Sequence, residues 1–115
     1  MRLTTLTKRK DFLRAAEAGR KCVTRSLVVQ AIEFPEDMNS DRPDCRVGYT
    51  ATKRIGGAVT RNRAKRRMRA LARDIIAQHG QKETDYVLIA RRFCVQSTYD
   101  ALCKDLIYAL KQVHA

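Results

Sequence analysis

Between Arg46 and Arg73 the chain has no acidic residue, a gap of 28 positions in a sequence of 115. Lys53, Arg54, Arg61, Arg63, Lys65, Arg66, Arg67, Arg69 and Arg73 lie within it, nine of the 24 Lys and Arg residues. Placed at about 100° per residue, Ala64, Met68, Leu71, Ala72 and Ile75 fall on one narrow stripe. Arg61, Lys65 and Arg69 border that stripe on one side and Arg67 on the other. Arg63, Arg66 and Arg73 occupy the remaining arc. Such a helix can bury itself in only one way, with its stripe on a sheet and its cations outward.

Like charges at i,i+4 (Arg61–Lys65, Lys65–Arg69, Arg63–Arg67) each cost about 0.2–0.5 kcal/mol in the free helix. A solvated helix face normally mixes signs, because Glu–Lys pairs support it. A face that excludes acids points instead to a polyanionic partner. The net charge of +12 says the same, since self-repulsion on that scale is relieved by binding a polyanion. A phosphate backbone suits the arginine-rich composition, through bidentate contacts and stacking. Anionic lipid calls for large apolar anchors, and the chain has no Trp and three Phe.

The length suits one domain, residues 1–115, with one modest core. No apolar run approaches the roughly 18–20 residues of a membrane span, and the N-terminus lacks the apolar stretch and cleavage site of a signal peptide. A cytoplasmic location is expected. Cys22, Cys45, Cys94 and Cys103 form no C-x-x-C pair, and His79 and His114 fit no zinc pattern. They read as reduced, mostly buried thiols.

A first helix is predicted over Lys8–Ala18, capped by Thr7 and stopped by Gly19, with Phe12, Ala15 and Ala16 on one face. A strand follows over Cys22–Phe34, then a polar loop over 35–44. A second strand covers Cys45–Thr52, and Gly56-Gly57 breaks it. The long basic helix spans Ala58–His79 and ends at Gly80. Asp85–Arg91 reads as a strand buried on both faces. Ser97-Thr98-Tyr99-Asp100 offers a cap to a last helix carrying Leu102, Leu106, Ala109, Leu110 and Val113. The order α-β-β-α-β-α describes a small α/β (α+β) sandwich. Its central sheet carries the long helix in a β-α-β crossover between strands that can pair in parallel. The acids are scattered singly or sit in the loop, and no histidine lies near a nucleophile, so no catalytic residue is expected in the protein.

Arg54-Ile55-Gly56-Gly57-Ala58-Val59-Thr60 leads into Arg61-Asn62-Arg63 with a flexible glycine pair and free backbone N–H groups, an anion-binding arrangement. The block from Arg46 to Arg69, with G-x-A-V-x-R-N-R-x-K-R-x-x-R running from Gly56, closely resembles the signature of the protein subunit of bacterial ribonuclease P. The likeness extends to Leu6–Gly19, where Asp11-Phe12 occupies the family's D-F position, and to the D-hydrophobic-A-R strand at Asp85–Arg91.

The resemblance implies a left-handed crossover for the long helix. It implies that an RNA subunit holds the active site and its Mg²⁺, and that the holoenzyme cleaves one phosphodiester bond of precursor tRNA to give the mature 5′ end. By position, Arg61, Asn62, Arg63, Lys65, Arg66 and Arg69 would contact the catalytic RNA, with Lys53 and Arg54 extending that surface. Asn62 reads equally as an RNA contact or as a local backbone bond near the helix start. The 5′ leader would lie in a cleft between the sheet and the first helix. Phe12 is placed there to stack on a base, an interaction worth about 1–3 kcal/mol. Ala16 and Gln30 stand where family members often carry aromatics, so the cleft would rest more on Arg14, Arg25, Gln30 and Tyr49, subject to strand register. No metal is assigned to the protein, and no obligate protein partner is expected.

Two other readings compete. A ribosomal or assembly protein would share the charge but would not need the G-x-A-V-x-R-N-R-x-K-R block. A zipper-type DNA-binding helix needs a sustained leucine heptad, and Gly80 stops this helix too early for one.

Overall fold

The apolar run around Val87 is the middle strand of a five-stranded sheet. The structure, a computed structural model, describes residues 1–38 and 41–115. Asn39 and Ser40, inside the expected 35–44 loop, lie outside the described residues. In chain order the strands are β1 (Leu3–Thr5), β2 (Arg20–Val23), β3 (Leu27–Glu33), β4 (Cys45–Thr50) and β5 (Thr84–Ala90). They lie side by side in the order β1-β4-β5-β3-β2. β4 is parallel to both β1 and β5, while β3 is antiparallel to β5 and β2.

Helix α1 (Arg9–Ala18) joins β1 to β2. The long helix is α2 (Ala58–Leu71), which continues through a π-helical turn (Ala72–Ile76) into a last α turn, α3 (Ala77–His79). It connects the adjacent parallel strands β4 and β5. A short α4 (Phe93–Gln96) precedes α5 (Tyr99–Val113). Thr98 is the N-cap of α5, its hydroxyl accepting from the Ala101 N–H at 3.2 Å.

Alternation along the strands sorts the two faces of the sheet. Leu27, Val29 and Ala31 of β3, Cys45 and Val47 of β4, and Tyr86, Leu88 and Ala90 of β5 face α2 and α5 in the main core. Val87, with Ile32 and Ile89, faces the other way and meets Leu6, Ala15 and Phe12. β5 is therefore covered on both sides, as its unbroken apolar centre predicts.

Four expectations need correction. The first strand is a hairpin, β2 and β3, turning through Thr24, whose hydroxyl accepts from the Leu27 N–H at 3.1 Å. β1 was not foreseen: three residues are too few to show alternation, and its order comes from parallel pairing with β4. Thr7 does not cap α1, since Lys8 is its N-cap and no side chain bonds there. Ala16 is exposed and does not share the burial of Ala15. The four thiols are free, with Cys45 and Cys94 buried. Burial pushes the pKa of each of these two up to about 11.

Candidate nucleic-acid interface

Ala64, Met68, Leu71, Ala72 and Ile75 are all buried, so α2 lies on the sheet by its apolar stripe. This turns Asn62, Arg63, Arg66, Arg69 and Arg73 to solvent, with Arg61 and Lys65 partly buried beside them. Among the described residues, Arg73 alone of the nine cations pairs with a carboxylate, its exposed neighbour Asp74 at 3.3 Å. The other eight form no ion pair.

The start of α2 is also open. Lys53–Ile55 forms a 3-10 turn, and the next residue, Gly56, has φ 147°. A side chain is strained at that angle. Gly57 is the N-cap and supplies no side-chain acceptor. The first-turn amides therefore point outward without a side-chain partner, next to Lys53, Arg54 and Arg61. Such an end attracts anions.

Arg67 behaves differently. It donates to the carbonyl oxygens of Val95 at 2.8 Å and Ser97 at 2.7 Å. It ties α2 to the corner between α4 and α5, correcting the expectation that it points outward. Arg69 lies over the ring of Tyr49, 5.7 Å from its centroid.

On the opposite face of the sheet, Phe12 of α1 stands over Gly48. A Cβ there would sit 2.5 Å from the Phe12 ring, so only glycine admits this approach. Beside it lies a buried charge cluster. Asp85, fully buried, accepts from Arg46 Nε at 2.7 Å, Arg46 Nη2 at 2.6 Å and Arg14 Nη2 at 2.8 Å. Arg46 also approaches Asp11 at 3.6 Å, and Arg14 donates to the Glu33 carbonyl at 3.0 Å. The hydrogen bonds that Arg46 donates to the Asp85 carboxylate raise the pKa of Arg46. α1 is thereby clamped to the middle of the sheet. At the ends of β4 and β5, a hollow of about 580 Å³, including Arg54, Ile89, Arg91 and Arg92 in its lining, joins this side to the start of α2.

The Ribonuclease P family model matches residues 1–114. The chain belongs to the ribonuclease P protein family. It is 40% identical to the ribonuclease P protein component of Paramagnetospirillum magneticum, over 99% of this chain and 85% of that protein. It is 42% identical to that of Ruegeria pomeroyi, over 98% and 88%. The solved RNase P protein of Staphylococcus aureus superposes with a TM-score of 0.73 at 26% identity, covering 93% of this chain and 92% of the other. The chain is thus a protein component of an endoribonuclease holoenzyme, with a role in tRNA 5′ processing.

Against this ribonuclease P frame, the signature residues Lys53, Arg54, Arg61, Asn62, Arg63, Lys65, Arg66 and Arg69 lie together on one end and outer side of α2. The cleft residues divide. Phe12 is half-buried against Leu6, Ala15 and Val87 between α1 and the sheet, and Gln30, buried, shares the sheet face of Ile32. Arg25 lies at the β2–β3 turn, stacked on the Phe93 ring at 4.2 Å.

Tyr49 and Arg14 require correction. Tyr49 pairs in register with Leu88 and packs on the helix-bearing face, because Gly48 and Thr50 take the groove side. Arg14 is held by Asp85 and is not free for a ligand. The cluster around Asp85 has one sequence signal, an acid at the start of an apolar strand, which requires a cation nearby. Arg91 reads in the sequence only as the end of a strand, and Arg92 lies just beyond it.

Proposed function

We propose that the outer face of α2 binds the RNA subunit of ribonuclease P and that the groove beside α1 takes the 5′ leader of precursor tRNA. The observation that carries the first part is the set of seven cations, Arg67 set aside, without carboxylate partners among the described residues, gathered on one helix and its start. Lys53, Arg54, Arg61, Arg63, Lys65, Arg66 and Arg69 contact RNA phosphates, and Asn62 adds a polar contact from the exposed face. Phosphate contacts of this kind supply affinity and orientation without reading sequence.

In the groove, Phe12 offers a ring and Gln30 a polar group, while Arg25, stacked on Phe93 of α4, would have to leave that ring to reach a leader. Arg14 and Tyr49 are not part of it. Leader recognition by this chain is thus less aromatic and less cationic than its composition suggests.

Bond cleavage belongs to the RNA. The buried acids Asp11 and Asp85 fit a metal poorly, since their oxygens face Arg46 and Arg14. Among the described residues no group of three or more His, Cys, Asp or Glu gathers to hold an ion. Mg²⁺ held by the RNA supplies the catalytic metal in this reading, and the protein positions substrate and RNA. Among the described residues no helix is long and apolar enough to cross a membrane. We place the complex in the cytoplasm, with no further protein required.

Reconstitution tests this directly. Adding the purified chain to the ribonuclease P RNA and precursor tRNA at low Mg²⁺ stimulates 5′ cleavage. It also raises affinity for precursor tRNA over the leaderless product. Failure to stimulate rejects the reading, and equal affinity for the two RNAs rejects the groove assignment.

A further inference from the structure

The side of α2 that carries Arg63 and Arg66 does not face open solvent alone. Opposite it stands the corner between α4 and α5, Val95 to Tyr99, and the two walls bound an open hollow of about 580 Å³. Three bonds hold the corner in place. Arg67 takes the Val95 and Ser97 carbonyl oxygens at 2.8 and 2.7 Å. From the far end, the Tyr99 hydroxyl donates to Asp74 Oδ2 at 2.7 Å. The corner is thus pinned to the same helical rod that carries the signature cations.

The chemistry of the hollow is specific. Arg63 and Arg66 line one wall, and neither has a carboxylate partner among the described residues. The other wall brings the exposed side chain of Gln96. Carbonyl oxygens pointing into this space would repel a phosphate, but two of them are occupied by the guanidinium of Arg67. A short polar wall with its carbonyls covered, facing two free guanidinium groups, matches a sugar–phosphate backbone.

We infer that this hollow is a second contact for the ribonuclease P RNA, in which its backbone lies between α2 and the α4–α5 corner. Arg63 and Arg66 bind phosphate from one side and Gln96 hydrogen-bonds from the other. Arg67 is the positioning residue that sets the corner and does not touch RNA. The inference rests on α2 being the RNA-binding face, and it adds α4–α5 to that interface.

The test is a salt series of binding titrations between the full chain and the ribonuclease P RNA. Arg63→Ala should flatten the log–log salt slope by about 0.7–0.9, as one phosphate contact is lost. Arg67→Met should weaken binding about tenfold with the slope unchanged, because it removes no phosphate contact. Arg67→Lys, which keeps one donor group, should recover part of the loss. A folded Arg67→Met protein with parental affinity, or with a flattened slope, overturns the positioning role.

Gln96→Glu tests the hollow without endangering the fold, because Gln96 is exposed. It should weaken binding about tenfold by placing a negative charge against phosphate. Gln112→Glu makes the same charge change at the far end of α5 and should leave affinity near the parental value. Equal losses in the two glutamate variants, or parental affinity in Gln96→Glu, overturn the inference. An unchanged slope in Arg63→Ala is a separate outcome, and it overturns the reading of α2 itself.

Discussion

Arginines play opposite parts on the two sides of the sheet. On the α1 side, Arg46 and Arg14 close on Asp85, which is fully buried, and bind helix to sheet. On the α2 side, Arg61, Arg63, Arg66 and Arg69 meet no carboxylate among the described residues, and all but the partly buried Arg61 are exposed. The same side chain is a structural clamp where an acid is supplied and a binding group where acids are withheld. Net charge cannot distinguish the two uses. The position of twelve acids among the cations does.

The sharpest way to break this comparison is to remove the acid. Asp85→Ala should cost about 3–5 kcal/mol in urea unfolding, because it leaves two partly buried guanidinium groups without their shared partner. A loss below about 1 kcal/mol would place Asp85 with ordinary surface acids and erase the distinction.

Gly48→Ala probes the same side by shape instead of charge. Its methyl would overlap the Phe12 ring, so a loss of about 1–3 kcal/mol is expected as α1 lifts. Thermal unfolding gives the size of the effect. Full retention of stability would mean that α1 already stands farther from β4 than the structure shows.

The α2 side should give the reverse pattern. Arg66→Ala should change stability by no more than about 0.5 kcal/mol, yet flatten the salt dependence of RNA binding by about 0.7–0.9. A destabilised protein with an unaltered slope would turn Arg66 into a clamp.

The smallest effect belongs to an exposed pair, Arg20–Glu33, at 2.9 Å. The hydrogen bond from Arg20 holds the Glu33 carboxyl below its usual pKa. A carboxyl with a depressed folded-state pKa adds stability above its unfolded pKa and loses it as pH falls through the folded value. Glu33→Gln should therefore remove a contribution of only a few tenths of a kcal/mol near neutral pH. In exchange it should slightly flatten the acid limb of a pH–stability curve, below about pH 4.5. A loss as large as that of Asp85→Ala would show that exposure does not separate the two pairs.

Much of this division was legible in the residues. The stripe of Ala64, Met68, Leu71 and Ile75 placed α2 correctly because helical periodicity reports which side is buried. The continuous apolar centre of β5 announced a strand covered on both faces. The G-x-A-V-x-R-N-R-x-K-R block located the exposed cations, since their sequence spacing translates directly into a helix face.

Sequence position is silent where a long-range partner decides. The strand pattern allows Tyr49 on the groove side, but pairing with Leu88 sends it beneath Arg69. A strand's alternation does not say which of its two faces is which. Arg14 and Arg67 look like free cations in the sequence, and Asp85 and two backbone carbonyls claim them. β1 carries too few residues to show a pattern of its own.

The amino-acid order alone determined the family, the helix that carries the charge and the side of that helix turned outward. Those properties depend on periodicity and on residue types close together in the chain. Only the tertiary structure decided which cations remain available to a ligand. A guanidinium group is claimed by whatever acceptor lies within hydrogen-bond reach, and here that is a residue 71 positions away for Arg14 and 28 and 30 positions away for Arg67.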